Sequence, residues 1–299
     1  MCTITTVLVL LILMPLLALP LDSTPSSCRP YKQTTDVECQ SNNNPFEYTP
    51  WFNTWAYSTP TRRSIMHNVM AGKLIQIKQA LHPLIAEHIH RELLLYQHWI
   101  DETSDNPNTL QFKRSTARHQ IPALLHHFHA YLQGQDNLHF FSQFPQTDLK
   151  QWSCNGDSGG PFATEYKDHD FLSPHTDFQE NRALTFILSM TQAWEKKHGG
   201  SLWWFNGRTR QFVPEFNSLF LFVPSPRTFH QVSAVALKSG SDTCSGTTCS
   251  TNATLSRRFA ISGWFESVDR LQASHMQNQF PLEESRLFVV NGRGGDAET

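Results

Sequence analysis

Three residues of this chain have the types and the spacing to share one metal ion. His175 and Asp177 sit one residue apart, and His230 follows Asp177 by 53 positions. In an extended segment residues i and i+2 point the same way, so this histidine and carboxylate can address one ion from a single strand end. A second strand must then carry His230 to them. Two imidazoles and one carboxylate on one face of an octahedron leave the opposite face open, a donor set that suits non-haem iron(II) with added ligands. Arg258 is the fourth candidate, in RRFAISGWF, a strand-like run that otherwise buries uncharged side chains. An inward guanidinium there needs an anion, because an unpaired buried charge is costly. A carboxylate ligand would meet it through bidentate, charge-assisted hydrogen bonds. The plainer alternatives are a solvated turn for His175-x-Asp177 and a structural ion pair for Arg258. Arg257 is expected on the opposite face, in solvent.

Two other clusters compete for attention. Cys154-Asn155-Gly156-Asp157-Ser158-Gly159-Gly160-Pro161 spells the nucleophile signature of trypsin-like serine proteases. Ser158 would attack there, activated by an upstream His and Asp. No Ala-Ala-His-Cys segment accompanies it, and helical patterns stand where a first barrel should be, so a Gly-rich turn accounts for the same residues. His126, His127 and His129, with His88 and His90, offer a non-catalytic zinc or transition-metal module. Helical ligands require i, i+3 or i, i+4 spacing, and in that first trio only His126 with His129 meets it.

Strands must position the metal candidates, and the sequence supplies them after residue 151. RALTFILSM, GSLWWFNG, RQFVP, NSLFLFVP, FHQVSAVAL and RRFAISGWF are short apolar runs separated by turn residues. Regular short strands without intervening helices predict a mainly β fold with flanking helices. The catalytic core is expected to be a double-stranded β-helix (jelly roll, cupin-like) over residues 151–285. Trp203, Trp204 and Phe205 are expected to pack its interior. An N-terminal strand at Lys73–Leu81 and helices at Leu84–Trp99 and Ile121–Leu132 would support this core within residues 65–150. Residues 22–64 read as a low-complexity linker, 239–254 as a polar insertion in a hairpin, and 286–299 as a C-terminal tail.

The chain has 299 residues, 15 of them histidine, and a formal net charge of -2. With no basic stripe, no nucleic-acid partner is expected. Residues 7–21 are apolar but interrupted by Pro15 and Pro20. That is short of the roughly 20 residues needed to span a bilayer, so residues 1–21 read as a signal peptide, with a membrane anchor through 7–21 as the alternative. Cys28 with Cys39, and Cys244 with Cys249, are spaced to close small loops as disulfides, leaving Cys154 over. Asn252-Ala253-Thr254 is an N-glycosylation acceptor. These features point to the secretory pathway, the ER lumen or the extracellular space. Nothing in the sequence indicates an oligomeric state.

The stretches EYKDHDFLSPHTD, ALTFILSM, GGSLWWF, NSLFLFVPSPRTFHQVSAV and RRFAISGWF together resemble the prolyl 4-hydroxylase-like Fe(II)/2-oxoglutarate-dependent oxygenases. Within them the chain is most similar to the branch of ribosomal prolyl hydroxylases. The resemblance covers residues 165–265 and, more weakly, 73–99. It implies that His175, Asp177 and His230 hold Fe(2+) and that Arg258 binds the distal carboxylate of 2-oxoglutarate. Tyr166, nine residues before His175, would donate its hydroxyl to the same co-substrate. It further implies O2 as oxidant, ascorbate as reductant, and hydroxylation of an unactivated C-H bond with release of succinate and CO2. The implied substrate is a proline in a peptide or protein. A carboxylate at 177 implies hydroxylation and not halogenation, and Trp264 stands where the nucleic-acid demethylases of the superfamily carry a second arginine. One departure is the interval from His230 to Arg258, 28 positions; removing the Cys-containing insertion restores the family's shorter spacing.

Overall fold

The computed structural model describes residues 50–106, 110–117, 120–144, 152–155, 161–179, 181–237, 257–267 and 287–293. A 3-10 turn at Thr54–Ala56 leads into helix α1 (Thr59–Met70), strand β1 (Leu74–Lys78) and helix α2 (Pro83–Leu95). A hairpin of β2 (Trp99–Ser104) and β3 (Phe112–Ala117) follows, then helices α3 (Ala123–Gln133) and α4 (Gln135–Ser142). The remaining strands are β4 (Trp152–Asn155), β5 (Phe162–Tyr166), β6 (Phe171–His175), β7 (Arg182–Ser189), β8 (Leu202–Trp204), β9 (Arg210–Phe212), β10 (Ser218–Phe222), β11 (His230–Val232), β12 (Arg258–Ser267) and β13 (Leu287–Asn291).

The helices start where the chemistry of their first turns allows. Ser58 accepts from the amide of Thr61 at the head of α1, and Pro83 opens α2, where a missing N–H costs nothing. The first amides of α3 are satisfied from outside the helix, because Leu124 and Leu125 donate to the carboxylate of Glu92 on α2.

The strands form one sheet in the order β13-β1-β10-β7-β12-β5-β3-β6-β11-β8-β9, with β2 on β3 and β4 on β12. It curls into a double-stranded β-helix of the jelly-roll kind. Strand alternation divides its two faces. On β12, Phe259, Ile261 and Phe265 join the core beneath the helices, while Arg258, Ala260, Ser262 and Trp264 face an inner cavity. On β7, Phe186 and Leu188 take the helix side and Thr185 and Ile187 the cavity side. The helix layer contributes Ile65, Ile85, Ile89, Leu125 and Phe128, and Phe141 of α4 stacks on Phe265 at 4.4 Å between ring centroids.

Several sequence expectations are corrected. Residues 22–64 are not a linker throughout: Phe52 and Trp55 are buried, the Trp55 indole donates to the Ala80 carbonyl at 2.7 Å, and α1 begins at Thr59. Their partners lie far along the chain, so no local periodicity announces them. Residues 286–299 are not simply a tail, because β13 pairs in parallel with β1 and buries Phe288 and Val290. Residue 150 marks no boundary between support and core, since β1 and β3 belong to the catalytic sheet. The helix expected to reach Trp99 stops at Leu95, and Trp99 opens β2. Arg257 does lie opposite Arg258, but not in free solvent. It pairs with the buried carboxylate of Glu165, which requires a cation, and donates to the Leu94 carbonyl.

The histidine-rich helix is no metal module. His129 is buried, His126 is exposed, and His90 bonds through Nδ1 to the Met190 carbonyl. Among the described residues the only cluster able to hold a metal is His175, Asp177 and His230. The leader 1–21, Cys28, Cys39, Cys244, Cys249, Asn252, Ser158 and the insertion 239–254 lie outside the described residues. Among the described residues, no helix is long and apolar enough to cross a membrane.

Burial, with a smaller contribution from His126, pushes His129 down from an ordinary 6.5 to about 4. Between those values the unfolded chain takes up a proton that the folded chain refuses, so stability falls as pH drops from 6.5 towards 4 and is unaffected above that window. The expected loss from this group is at most about 3 kcal/mol. His129→Leu should remove that part of the acid-limb loss in urea denaturation at pH 7, 5.5 and 4.5. An undiminished loss in the variant would show that His129 is not its source.

Candidate active site

Strands β6 and β11 are antiparallel neighbours, and His175 lies directly across from His230 in their register. Asp177 follows two residues beyond the end of β6, in the loop that leaves the strand. His175 Nε2 lies 3.6 Å from Asp177 Oδ1, and His230 Nε2 lies 3.4 Å from Asp177 Oδ2. Each ring is aimed in the same way. The Nδ1–H of His175 donates to the Ser173 carbonyl and that of His230 to the Thr228 carbonyl, both at 2.9 Å. Those bonds orient each ring and aim both Nε2 atoms at the carboxylate. Trp204 stacks on the His230 ring and Phe222 meets it edge-on, closing this side to water.

The electrostatics call for a cation. Burial alone would raise the pKa of Asp177, but the charge of His230 and hydrogen bonds from both histidines outweigh it and hold the carboxyl well below the usual range. His230 mirrors this: burial lowers its pKa, and Asp177 more than compensates. The three inward-facing ligand atoms converge where a divalent ion would sit. Adjacent octahedral ligands about 2.1 Å from an ion lie about 3 Å apart. The separations here need only a small contraction, so the donor set fits such an ion.

Arg258 stands at another part of the same cavity, which has a volume of about 330 Å³. It pairs across β12 and β5 with Tyr166, and its guanidinium lies over the Tyr166 ring at 4.7 Å. Its residue exposure is 4%, and no hydrogen bond or ion pair to it occurs among the described residues; Nε in particular is unpartnered. Burial draws its pKa down, with Tyr166 countering. A buried guanidinium with no counter-charge among the described residues, opening onto a cavity, fits a carboxylate ligand. All five residues singled out from the sequence, His175, Asp177, His230, Arg258 and Tyr166, therefore line one cavity.

Other residues at the site carry no signature in the sequence. Arg182 donates to the backbone carbonyl of Asp177 at 3.1 Å and lies over the Trp264 indole at 3.5 Å, tying the metal-side loop to β12. Arg114 is held between the rings of Phe112 and Phe162. Phe178 and Leu110 are partly exposed on the cavity rim. An ordinary arginine or aromatic in a strand run gives no hint of these contacts. Trp204 was legible only as core, and its stacking on His230 joins the core to the metal side.

Comparison with known proteins agrees with this geometry. The family model of the 2OG-Fe(II) oxygenase superfamily matches residues 162–266. The prolyl 3-hydroxylase OGFOD1 of Xenopus laevis is 37% identical over 109 residues, 34% of this chain and 18% of that protein. Its Mus musculus counterpart is 30% identical over 109 residues, again 34% of this chain and 17% of the relative. The chain thus spans under a fifth of the length of these curated relatives. Among solved structures, a Trichoplax adhaerens prolyl hydroxylase in complex with a hypoxia-inducible-factor peptide is similar with a TM-score of 0.49 and 14% identity. That match covers 74% of this chain and 98% of that one. A Pseudomonas putida prolyl-4-hydroxylase is similar with a TM-score of 0.47 and 14% identity, over 69% and 99%.

The site makes a direct prediction about metal. Asp177→Asn keeps the size of the side chain and removes its charge. Calorimetric titration with Mn(II) should show affinity falling by more than the roughly 10–100-fold that loss of a ligand's supporting hydrogen bond costs. Unchanged binding would place the ion elsewhere.

Proposed function

We propose that the chain, whose residues 162–266 match the family model of the 2OG-Fe(II) oxygenase superfamily, is a Fe(II)- and 2-oxoglutarate-dependent prolyl hydroxylase acting on a peptide or protein. The observation that carries this reading is the pairing, in one cavity, of a His-Asp-His cluster with a buried arginine that has no counter-ion among the described residues. The prolyl part is supported by the relatives named prolyl hydroxylases. When bound, ferrous iron, 2-oxoglutarate and dioxygen supply the oxidising power that inserts one oxygen atom into a C-H bond, with succinate and CO2 as co-products.

The chain's own side chains would divide the remaining work. His175, Asp177 and His230 would hold the ion on one face and leave its other positions free for ligands. Arg258 would clamp the distal carboxylate of the keto acid, and the Tyr166 hydroxyl would add a hydrogen bond to the same group. Trp204 and Phe222 would keep water from the His230 side, where a low dielectric strengthens every charge contact. Phe178 and Leu110 on the rim would meet the substrate chain as it enters. The leader, the cysteine pairs and the Asn252 acceptor support a lumenal or extracellular setting, with ascorbate as reductant.

The test is anaerobic loading with iron(II), then succinate measurement with 2-oxoglutarate, oxygen and a panel of proline-containing peptides. His175→Ala and Asp177→Ala should abolish turnover, whereas Ser158→Ala should keep most of it. Arg258→Ala should raise the apparent KM for 2-oxoglutarate with Mn(II) affinity retained. Turnover surviving in the first two variants would refute the ligand assignment, whereas fluorophosphonate labelling of Ser158 in the parent protein would favour the protease reading instead.

A further inference from the structure

The stem of Arg258 runs against a wall that no charged or catalytic residue advertises. Gly199 and Gly200 both have positive φ, +65° and +62°. A Cβ on Gly200 would lie 3.0 Å from Arg258 Cδ, 3.1 Å from Val235 Cγ2 and 3.5 Å from Trp194 Cζ2. The arginine stem therefore passes directly over glycine backbone, in a space that any side chain would close. This wall is firmly tied. The Trp194 indole donates to the Gly199 carbonyl at 2.9 Å, the Gly200 amide donates to the Ala234 carbonyl at 3.1 Å, and Gly199 bridges to Val235. Trp194 and Val235 also pack in one buried cluster with Tyr166, the ring beneath the guanidinium.

The opposite end of the cavity is equally fixed. His175, Asp177 and His230 are set by strand register and by carbonyl bonds to their rings. A ligand that must reach from the metal side to Arg258 thus spans two anchored points. From this we infer that Gly200, Trp194 and Val235 form a gauge behind Arg258 that sets the chain length of the keto diacid co-substrate. The inference rests on the proposed function and deepens it. These three are positioning residues, acting through the arginine and not on the ligand itself.

The gauge gives two variants opposite effects, which a merely structural role does not. Gly200→Ala drives the stem into the cavity and shortens it, so affinity should shift from 2-oxoglutarate towards oxaloacetate, one carbon shorter. Val235→Ala removes the methyl beside Gly200, loosening the backbone against which the arginine stem rests, so affinity should shift towards 2-oxoadipate, one carbon longer. One methylene in a well-packed pocket is worth about 10–200-fold in discrimination, so each shift should change the ratio of dissociation constants by about tenfold or more.

The measurement is equilibrium binding of the three keto diacids to Mn(II)-loaded full-length protein by calorimetry, without turnover. Mn(II) affinity and thermal stability of each variant report whether the fold and the metal side are intact, and Trp194→Phe removes both the bond to Gly199 and the ring edge beside Gly200. Relaxed discrimination among the three acids is expected for it. If Gly200→Ala does not fold, the Val235→Ala and Trp194→Phe ratios decide alone. Equal weakening of all three acids, or unchanged ratios, in variants that still bind Mn(II) overturns the gauge. Failure of the parent protein to bind any of the three overturns the co-substrate reading itself, a distinct outcome.

Discussion

A carboxylate buried between two imidazoles is stable only if a cation sits among them. Asp177 is almost inaccessible, and so is His230. Without a positive charge the three would hold an uncompensated anion in a low-dielectric interior, a cost of several kcal/mol. The structure around them serves to maintain that arrangement. Register between β6 and β11 puts the two histidines across from each other, carbonyls two residues upstream orient each ring, and Trp204 and Phe222 exclude water from His230. Arg182 holds the loop that carries Asp177 through that residue's own carbonyl.

Strand β12 shows how one element serves the core and the cavity together. Its odd-numbered apolar side chains, Phe259, Ile261 and Phe265, anchor it beneath the helices. That anchoring leaves Arg258 and Trp264 no choice but to face inward, because neighbouring strand residues alternate between faces. The energy that turns Arg258 into the cavity is thus hydrophobic burial on the far side of the sheet. Arg257, one residue earlier, is rescued by Glu165 on that far side.

The parts of the molecule legible in the sequence are those whose signal is local. Arg258 in an apolar run, His175 and Asp177 at i and i+2, and the period of β7 and β12 are each visible within a dozen residues. Contacts made at long range were not legible. Trp55 bonds to Ala80 and packs among residues far along the chain, so its segment looked like linker. β13 is a single apolar strand whose partner, β1, lies at the other end of the chain. WIDETS and FKRSTA, the β2–β3 hairpin, are too polar to be told from loop by hydrophobic pattern. Gly200 resembles any loop glycine until its distance to the Arg258 stem is known.

The two ends of the cavity are complementary in charge, and this orders their filling. One part of the cavity lining carries the buried Asp177 carboxylate, and another carries Arg258, whose guanidinium has no anionic partner among the described residues. A dicarboxylate arriving first would gain Arg258 but meet the negative charge of Asp177 at its other end. A divalent ion arriving first would turn the Asp177 side net positive, so that both parts would then attract a dianion. The burial that makes each charge costly alone strengthens its attraction once paired. On the proposed function, metal followed by keto acid would be the order in which each step pairs a buried charge.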